Sequence, residues 1–295
     1  KRRGFALLSV GRSVDLPEGF AVGFGSGSRA VMGDIALEAS PGVGGAPAGP
    51  PVRFFVTGFG TFPGVPANPT EVLVNALGEK GHAAQRLEEC SVLRVSAKVV
   101  RDHVAGLKAR VLSTYGASAS PAPPQNGEKA LVVVVHFGVD VCATSFKIES
   151  RAFNEAHFRL PDVDGFQPQH APIDEEKGRG EEEGPEAFGG KADLAACLRT
   201  DLPCDRVVAG LRAKGHNVVV SLDAGRYVCN YTYYWSLRAL QEAREAREGC
   251  RVFSVFVHVP SFHAIGAEDQ TRFVADLFDQ LAEGARAVAS PAAKA

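Results

Sequence analysis

One stretch, Ser221-Leu-Asp-Ala-Gly-Arg-Tyr-Val-Cys-Asn230, places a nucleophilic residue where the backbone would activate it. Asn217-Val-Val-Val-Ser221 is rich in β-branched side chains and predicts a strand. Ala224-Gly225 predicts a turn, because glycine tolerates backbone angles that other residues avoid. From about Tyr227 to Ala246, the residues Val228, Tyr231, Trp235 and Leu240 recur at near-helical spacing. Cys229 is therefore expected in the first turn of a helix that follows a strand. Unpaired backbone N–H groups and the helix dipole favour negative charge there. A thiol so placed ionises more readily than a free one, and the thiolate is the nucleophile. The competing reading is a small buried hydrophobe, since free cysteines are among the most buried residues.

A cysteine nucleophile needs a base that takes its proton and returns it to the leaving amine. Histidine suits that task near neutral pH, and the chain has eight. His82, His103 and His216 fall in helix or turn positions expected to be exposed, and His170 in a loop. His136, His258 and His263 lie at or near predicted strand ends. His258, in Val257-His-Val-Pro260, is the best placed, beside a proline-set turn; a buried structural histidine is the alternative. An Asp or Glu would fix the imidazole tautomer. Glu149, flanked by Phe146 and Ile148, is a candidate, with Asp140, Asp162 and Asp223 in competition. From the residues alone these four stay open.

The elements that must hold such groups alternate along the chain. Val52–Thr57 reads as a first strand ending in Gly58-Phe-Gly60. A helix from Asn68 to about Leu77 has Pro69 in its first turn, where helices accept proline. A strand over 90–95 precedes a helix from Ala97 to Thr114 with Val100, Val104, Leu107 and Val111 on one face. Ala130–Val135 is an unbroken apolar run, suited to a central strand covered on both sides. Phe146–Arg151 and Arg159–Asp162 follow, joined by 152–158. After a helix from Pro203 to about Gly215 come the strand and helix of the cysteine stretch. A strand from Val252 to Val257 and a helix from about Glu268 to Ala287 complete the domain, 52–289. This alternation predicts a single α/β domain, a three-layer α/β/α sandwich around a mostly parallel mixed sheet. Functional residues of such folds collect at the carboxyl ends of strands.

Other segments read as peripheral. Residues 1–51 are rich in Gly, Ala, Ser and Pro and read as a disordered leader, since they bury too little to offset ordering. The basic start Lys1-Arg-Arg3 suits an organelle-targeting segment, but Asp15, Glu18, Asp34 and Glu38 argue against one. The chain begins without Met and reads as a fragment or a translated upstream region. Residues 116–128 read as a surface loop, 174–191 as an acidic solvated insert and 290–295 as a frayed tail.

Bulk properties exclude several classes. An apolar content of 45% allows a sizeable core. The net charge of −2, without Lys/Arg clusters, argues against a nucleic-acid surface. No apolar run approaches the ~20 residues of a membrane helix. The six cysteines are scattered, without a CxxC pair, which predicts reduced thiols and a cytoplasmic chain. Gly58-Phe-Gly60 is too short for a dinucleotide fingerprint, and neither a P-loop nor a metal-ligand cluster is seen.

Four motifs together resemble the pyroglutamyl peptidase I, or pyrrolidone-carboxylate peptidase, family. The first is Val56-Thr-Gly-Phe-Gly-Thr-Phe-Pro-Gly64 with Asn68-Pro69. The second is Ile148-Glu149 with Ala152, Asn154 and Arg159-Leu-Pro-Asp-Val-Asp-Gly165. The third is the cysteine stretch, and the fourth is Phe256-Val-His-Val-Pro260. They occur in the family's order over about 52–285. Asn154–Arg159 and Gly165–Gln169 are more similar to plant and protist members. The resemblance implies a cysteine exopeptidase that cleaves after an N-terminal pyroglutamyl residue, with the triad Cys229, His258 and Glu149. It implies an α/β/α sandwich, no metal or organic cofactor, and pyroglutamyl peptides as partners. It points to Phe59 and Phe62 as holding the lactam ring, with Asn68 and the backbone around Val139 and Val228 on its polar atoms. Ser150 follows the glutamate where many members have a basic residue. Val139 replaces a residue often polar in bacterial members, and Pro63 a common glycine. A non-catalytic lactam- or peptide-binding homologue is the alternative that the substitutions near Glu149 motivate. A nucleoside phosphorylase on a related fold would need a phosphate-cradling loop, and none is visible.

Overall fold

The apolar run predicted at the centre forms the strand around which the sheet is built. The computed structural model describes residues 49–79, 87–116, 130–175, 193–245 and 250–290. In chain order the elements are β1 (Val52–Phe59), α1 (Pro69–Glu79), β2 (Leu87–Leu93), α2 (Ala97–Tyr115), β3 (Ala130–Val139), β4 (Phe146–Glu149) and β5 (Arg151–Phe153). They continue with β6 (Cys197–Arg199), α3 (Cys204–Ala213), β7 (Val218–Ser221), α4 (Val228–Glu245), β8 (Cys250–Val259) and α5 (Ala267–Ala289). Among the described residues, six strands form one sheet in the order β2-β1-β3-β8-β4-β7. β2, β1, β3 and β8 run parallel; β4 is antiparallel to β8, and β7 is parallel to β4. The sheet is thus mixed and mostly parallel. The described residues all belong to one compact unit, Leu37–Ala295. No helix among them is long and apolar enough to cross a membrane.

Side chains alternate across a strand, and here the two sets meet different helices. Val133, Val135 and Phe137 of β3, with Val255 and Val257 of β8, share a core with α1, α3 and α5. From α5 that core receives Phe273, Leu277, Phe278 and Leu281, each buried. Burying such a side chain is worth about 1.5–3 kcal/mol. On the other face, Phe59 and Phe256 meet Val100 and Val104 of α2 and Tyr231, Tyr233 and Leu237 of α4. Val132 and Val134 meet Leu107, Val111 and Leu240 there. The three layers follow directly. His136 and Gly138 of β3, Lys147 and Glu149 of β4, and His258 of β8 belong to the set on the α4 side.

Local chemistry sets the element ends. Asn68 precedes Pro69 and accepts a hydrogen bond from the Thr70 backbone N–H at 3.1 Å, an N-cap for α1. Ser96 caps α2 through the Val99 N–H at 3.2 Å, and Asp162 adds a bond from the Ala97 N–H at 2.8 Å. Gly225, at φ +80, makes the left-handed turn between β7 and α4.

The segment 146–151 divides in two. β4 ends at Glu149, and β5 pairs antiparallel with β6 in a separate two-stranded sheet. Both strands of that small sheet are three residues long, too short to show a period in the sequence. Arg159–Asp162 is a bend that carries Asp162 to the start of α2. The leader to residue 48, and 117–129, 176–192 and 291–295, where the loop, the insert and the tail were expected, lie outside the described residues.

Gly58 shows how closely α1 seats on β1. A Cβ there would lie 2.7 Å from the Thr70 carbonyl oxygen and 2.8 Å from Val74 Cγ2. Gly58→Ala is expected to destabilise the fold by about 1–3 kcal/mol through overpacking. Urea unfolding checks this, as a lower midpoint at an unchanged slope.

Candidate active site

The polar centre of the sheet is a buried pair. His258 Nδ1 lies 2.8 Å from Glu149 Oε1. The carboxylate is fully buried and the histidine 7% exposed. The antiparallel register explains the meeting. Lys147 stands opposite His258 and Glu149 opposite Phe256, so Glu149 and His258 are diagonal neighbours on one face. The Tyr233 hydroxyl, from α4, donates to the Glu149 backbone carbonyl at 2.8 Å and ties that residue to the helix.

Cys229 is the second residue of α4 and half-buried. It lines the same cavity as His258 and interacts electrostatically with the imidazole. Nδ1 faces Glu149, so Nε2 is the ring nitrogen left for sulfur. Burial alone would depress the imidazolium, but the negative sulfur of Cys229 and then Glu149 outweigh it, and the His258 pKa is raised to about 10. Below them lies Gly138, where a Cβ would meet the Phe256 ring at 2.6 Å and Cys229 Sγ at 3.0 Å. Only a bare backbone lets β3 pass under the sulfur.

A cavity of about 680 Å³ opens over these groups and is lined by both Cys229 and His258. Its apolar wall includes Phe59, Phe62, Val139 and Val228. Asn68 also lines it. The Asn68 amide donates to the Gly60 carbonyl at 3.0 Å while its oxygen accepts from Thr70, which pins the loop that carries the aromatic pair.

The remaining candidates lie elsewhere or are engaged. Asp140 pairs with Lys147 at 2.6 Å, Asp223 with Arg226 at 2.6 Å, and Asp162 binds the start of α2. His136 is not at a strand end. It sits within β3, fully buried, 2.6 Å from Thr57 Oγ1, and burial pushes its pKa down to about 3. His216 is buried against Asp276 at 2.7 Å and His103 is half-buried, so neither is the exposed residue expected. His263 is exposed beyond β8, and His82 lies outside the described residues. Sequence reasoning assigned no part to Gly138, Tyr233 or Asn230. Asn230 is fully buried and bonds the backbone of Phe153 in both directions at 2.9 Å, fixing the first turn of α4 to β5. Its place directly after the cysteine was the available signal.

A thiol at a helix start, beside an imidazole that a buried carboxylate holds, is the arrangement that a cysteine hydrolase on an α/β/α scaffold needs. Known proteins narrow the class. The model of the family described as pyroglutamyl peptidase matches residues 52–293, and the chain belongs to that family. The pyrrolidone-carboxylate peptidase of Gloeobacter violaceus is 27% identical over 209 residues, 71% of this chain and 82% of that one. That of Clavibacter michiganensis is 33% identical over 138 residues, covering 46% of this chain and only 54%, about half, of the relative. The solved structure of the Thermococcus litoralis enzyme superposes with a TM-score of 0.58 at 20% identity, covering 78% of this chain and 93% of that one. At that identity it bears on the fold alone.

The raised pKa of His258 fixes the direction of a pH test. A proton held up to about 10 is lost only as pH rises through that value. The alkaline limb of kcat/KM is therefore expected above the ordinary imidazole range of ~6.5. Glu149→Gln keeps the shape but removes a charge that favours the imidazolium, so the limb moves to lower pH. A pH–rate profile of both proteins checks this; an unmoved limb takes Glu149 out of the role.

Proposed function

We propose that this chain is a cysteine exopeptidase that hydrolyses the amide bond after an N-terminal pyroglutamyl residue, with Cys229, His258 and Glu149 as its catalytic residues. The observation that carries the reading is the Cys229–His258–Glu149 chain opening on an aromatic-walled cavity, in a member of the pyroglutamyl peptidase family.

In this reading the Cys229 sulfur attacks the pyroglutamyl carbonyl carbon. The tetrahedral oxyanion is stabilised by backbone N–H groups of the first turn of α4, worth ~3 kcal/mol per donor. His258 gives its proton to the amine nitrogen as the C–N bond breaks, leaving a thioester on Cys229. The neutral imidazole then takes a proton from water, which attacks the thioester and releases pyroglutamate and the thiolate. Glu149 holds one imidazole tautomer throughout.

Selectivity rests on the lactam. Its ring is uncharged and fits between Phe59 and Phe62, while the backbone around Val139 and Val228 meets its polar atoms. Asn68 keeps one amide hydrogen for the ring carbonyl, the other being on Gly60. An ordinary N-terminal ammonium would have to be desolvated in that slot, at a cost of several kcal/mol. The reading places the chain in a reducing compartment such as the cytoplasm, where the free thiols of Cys142 and Cys229 persist. Affinity with plant and protist members is part of the same proposal and rests on Asn154–Arg159 and Gly165–Gln169.

The direct test is fluorophore release from a pyroglutamyl amide, with alanyl and prolyl amides as controls. Only the first is expected to be cleaved, and Cys229→Ala is expected to lower kcat by roughly 10⁴-fold or more. Equal cleavage of all three, or indifference to Cys229→Ala, overturns the reading. Reactivity gives a second test. Burial pushes Cys90 and Cys204 up to about 11 and about 12. Iodoacetamide is expected to label Cys229 first, ahead of the more exposed Cys142, with Cys90 and Cys204 last. Mass mapping of partly alkylated protein reads the order.

A further inference from the structure

Among the described residues, the charges lining the cavity are paired off with one exception. Lys147 is bound to Asp140 at 2.6 Å. Arg226 is bound to Glu155 at 2.8 Å and to Asp223 at 2.6 Å. Glu155 also holds His170 at 2.6 Å. Arg159 lines the same cavity and is exposed, and its guanidinium pairs with no other described residue. The acids that follow it in the chain are turned to α2: Asp162 takes the Ala97 N–H at 2.8 Å, and Asp164 takes Ser96 at 2.6 Å and Arg94 at 2.7 Å.

The mount of this cation is firm. Phe158, directly before it, is fully buried, and its N–H donates to the Pro168 carbonyl at 2.9 Å. Gln167 donates to the Arg159 carbonyl at 3.1 Å and Gln169 to the Phe158 carbonyl at 2.9 Å. An unpaired charge on a fixed backbone at the mouth of a binding cavity is arranged to meet a charge on the ligand. The pyroglutamyl end of a substrate carries none. A negative charge can come only from the part that leaves.

We propose that Arg159 is a specificity-determining residue that receives a carboxylate on the leaving side of pyroglutamyl peptides. The proposal rests on the function proposed above. The carboxylate has two sources, the C-terminus of a pyroglutamyl dipeptide or an acidic side chain directly after the scissile bond.

Two matched pairs of substrates separate these sources: pyroglutamyl-alanine against its amide, and pyroglutamyl-glutamate amide against pyroglutamyl-glutamine amide. The wild-type kcat/KM is expected to favour the carboxylate member of one pair or both by about three- to fivefold at low salt, the scale of an exposed ion pair. The preference shrinks as salt is raised. Arg159→Gln brings the ratio to about one, and Arg159→Lys restores part of it. A preference in the first pair alone assigns the terminal carboxylate, and in the second alone the side chain; either supports the proposal. A wild-type ratio of one at low salt overturns it without need of a variant. So does a preference that ignores salt or survives Arg159→Gln. Cleavage of the neutral fluorogenic amide keeps the proposed function standing in those cases, whereas no release from any substrate overturns both.

Discussion

The site depends on one buried contact, the 2.8 Å approach of the Glu149 carboxylate to the His258 imidazole. Isolated from water, a carboxylate is costly to bury, and a positive partner within hydrogen-bond distance is what makes it tolerable. The imidazole is held charged in turn, between that carboxylate and the sulfur. Each of the three groups is therefore placed by the charge of its neighbour, and the sheet has to deliver all three to one point.

The sheet does so through the reversed strand. In a wholly parallel sheet every strand reaches the site at its carboxyl end, near the surface. β4 runs the other way against β8, so it enters beside His258 at Lys147 and goes inward. Glu149 comes two residues later, deeper in the sheet and beyond the reach of water. Cys229 comes from the other reversed strand: β7 runs parallel to β4, and the turn after it leads back to the first turn of α4, where Cys229 lines the cavity.

Much of this could be read from the chain. The run Ala130–Val135 announced the central strand, and the β-branched stretch before Gly225 announced the turn into the cysteine helix. Pro69 marked the start of α1 as it should. Element ends were less legible: β2 begins at Leu87, before the alternation expected over 90–95, and β8 runs from Cys250 to Val259, past both ends of its expected span. The choice among four acids could not be made from spacing, because it turns on the antiparallel register, a contact over a separation of 109 residues. The resemblance to a family supplied that choice where local pattern had nothing to say. His136 and His216 were misplaced for a related reason. Burial is decided by packing between distant elements, and a lone histidine in the sequence carries no mark of it. Gly138 carried no local signal of its role, since the sulfur above it belongs to another element.

Tyr233 stands one turn after Cys229 on α4, and its hydroxyl grips the backbone of Glu149. The helix that presents Cys229 thereby also anchors the strand that presents Glu149. Small excursions of α4 carry both attachments together, so the spacing of Cys229, His258 and Glu149 is buffered against movement of the layer as a whole. What it is not buffered against is shear between α4 and β8, which moves sulfur away from imidazole while the helix itself stays intact. Packing changes along that seam, where Phe256 meets Tyr233, would then be felt in turnover as well as in melting.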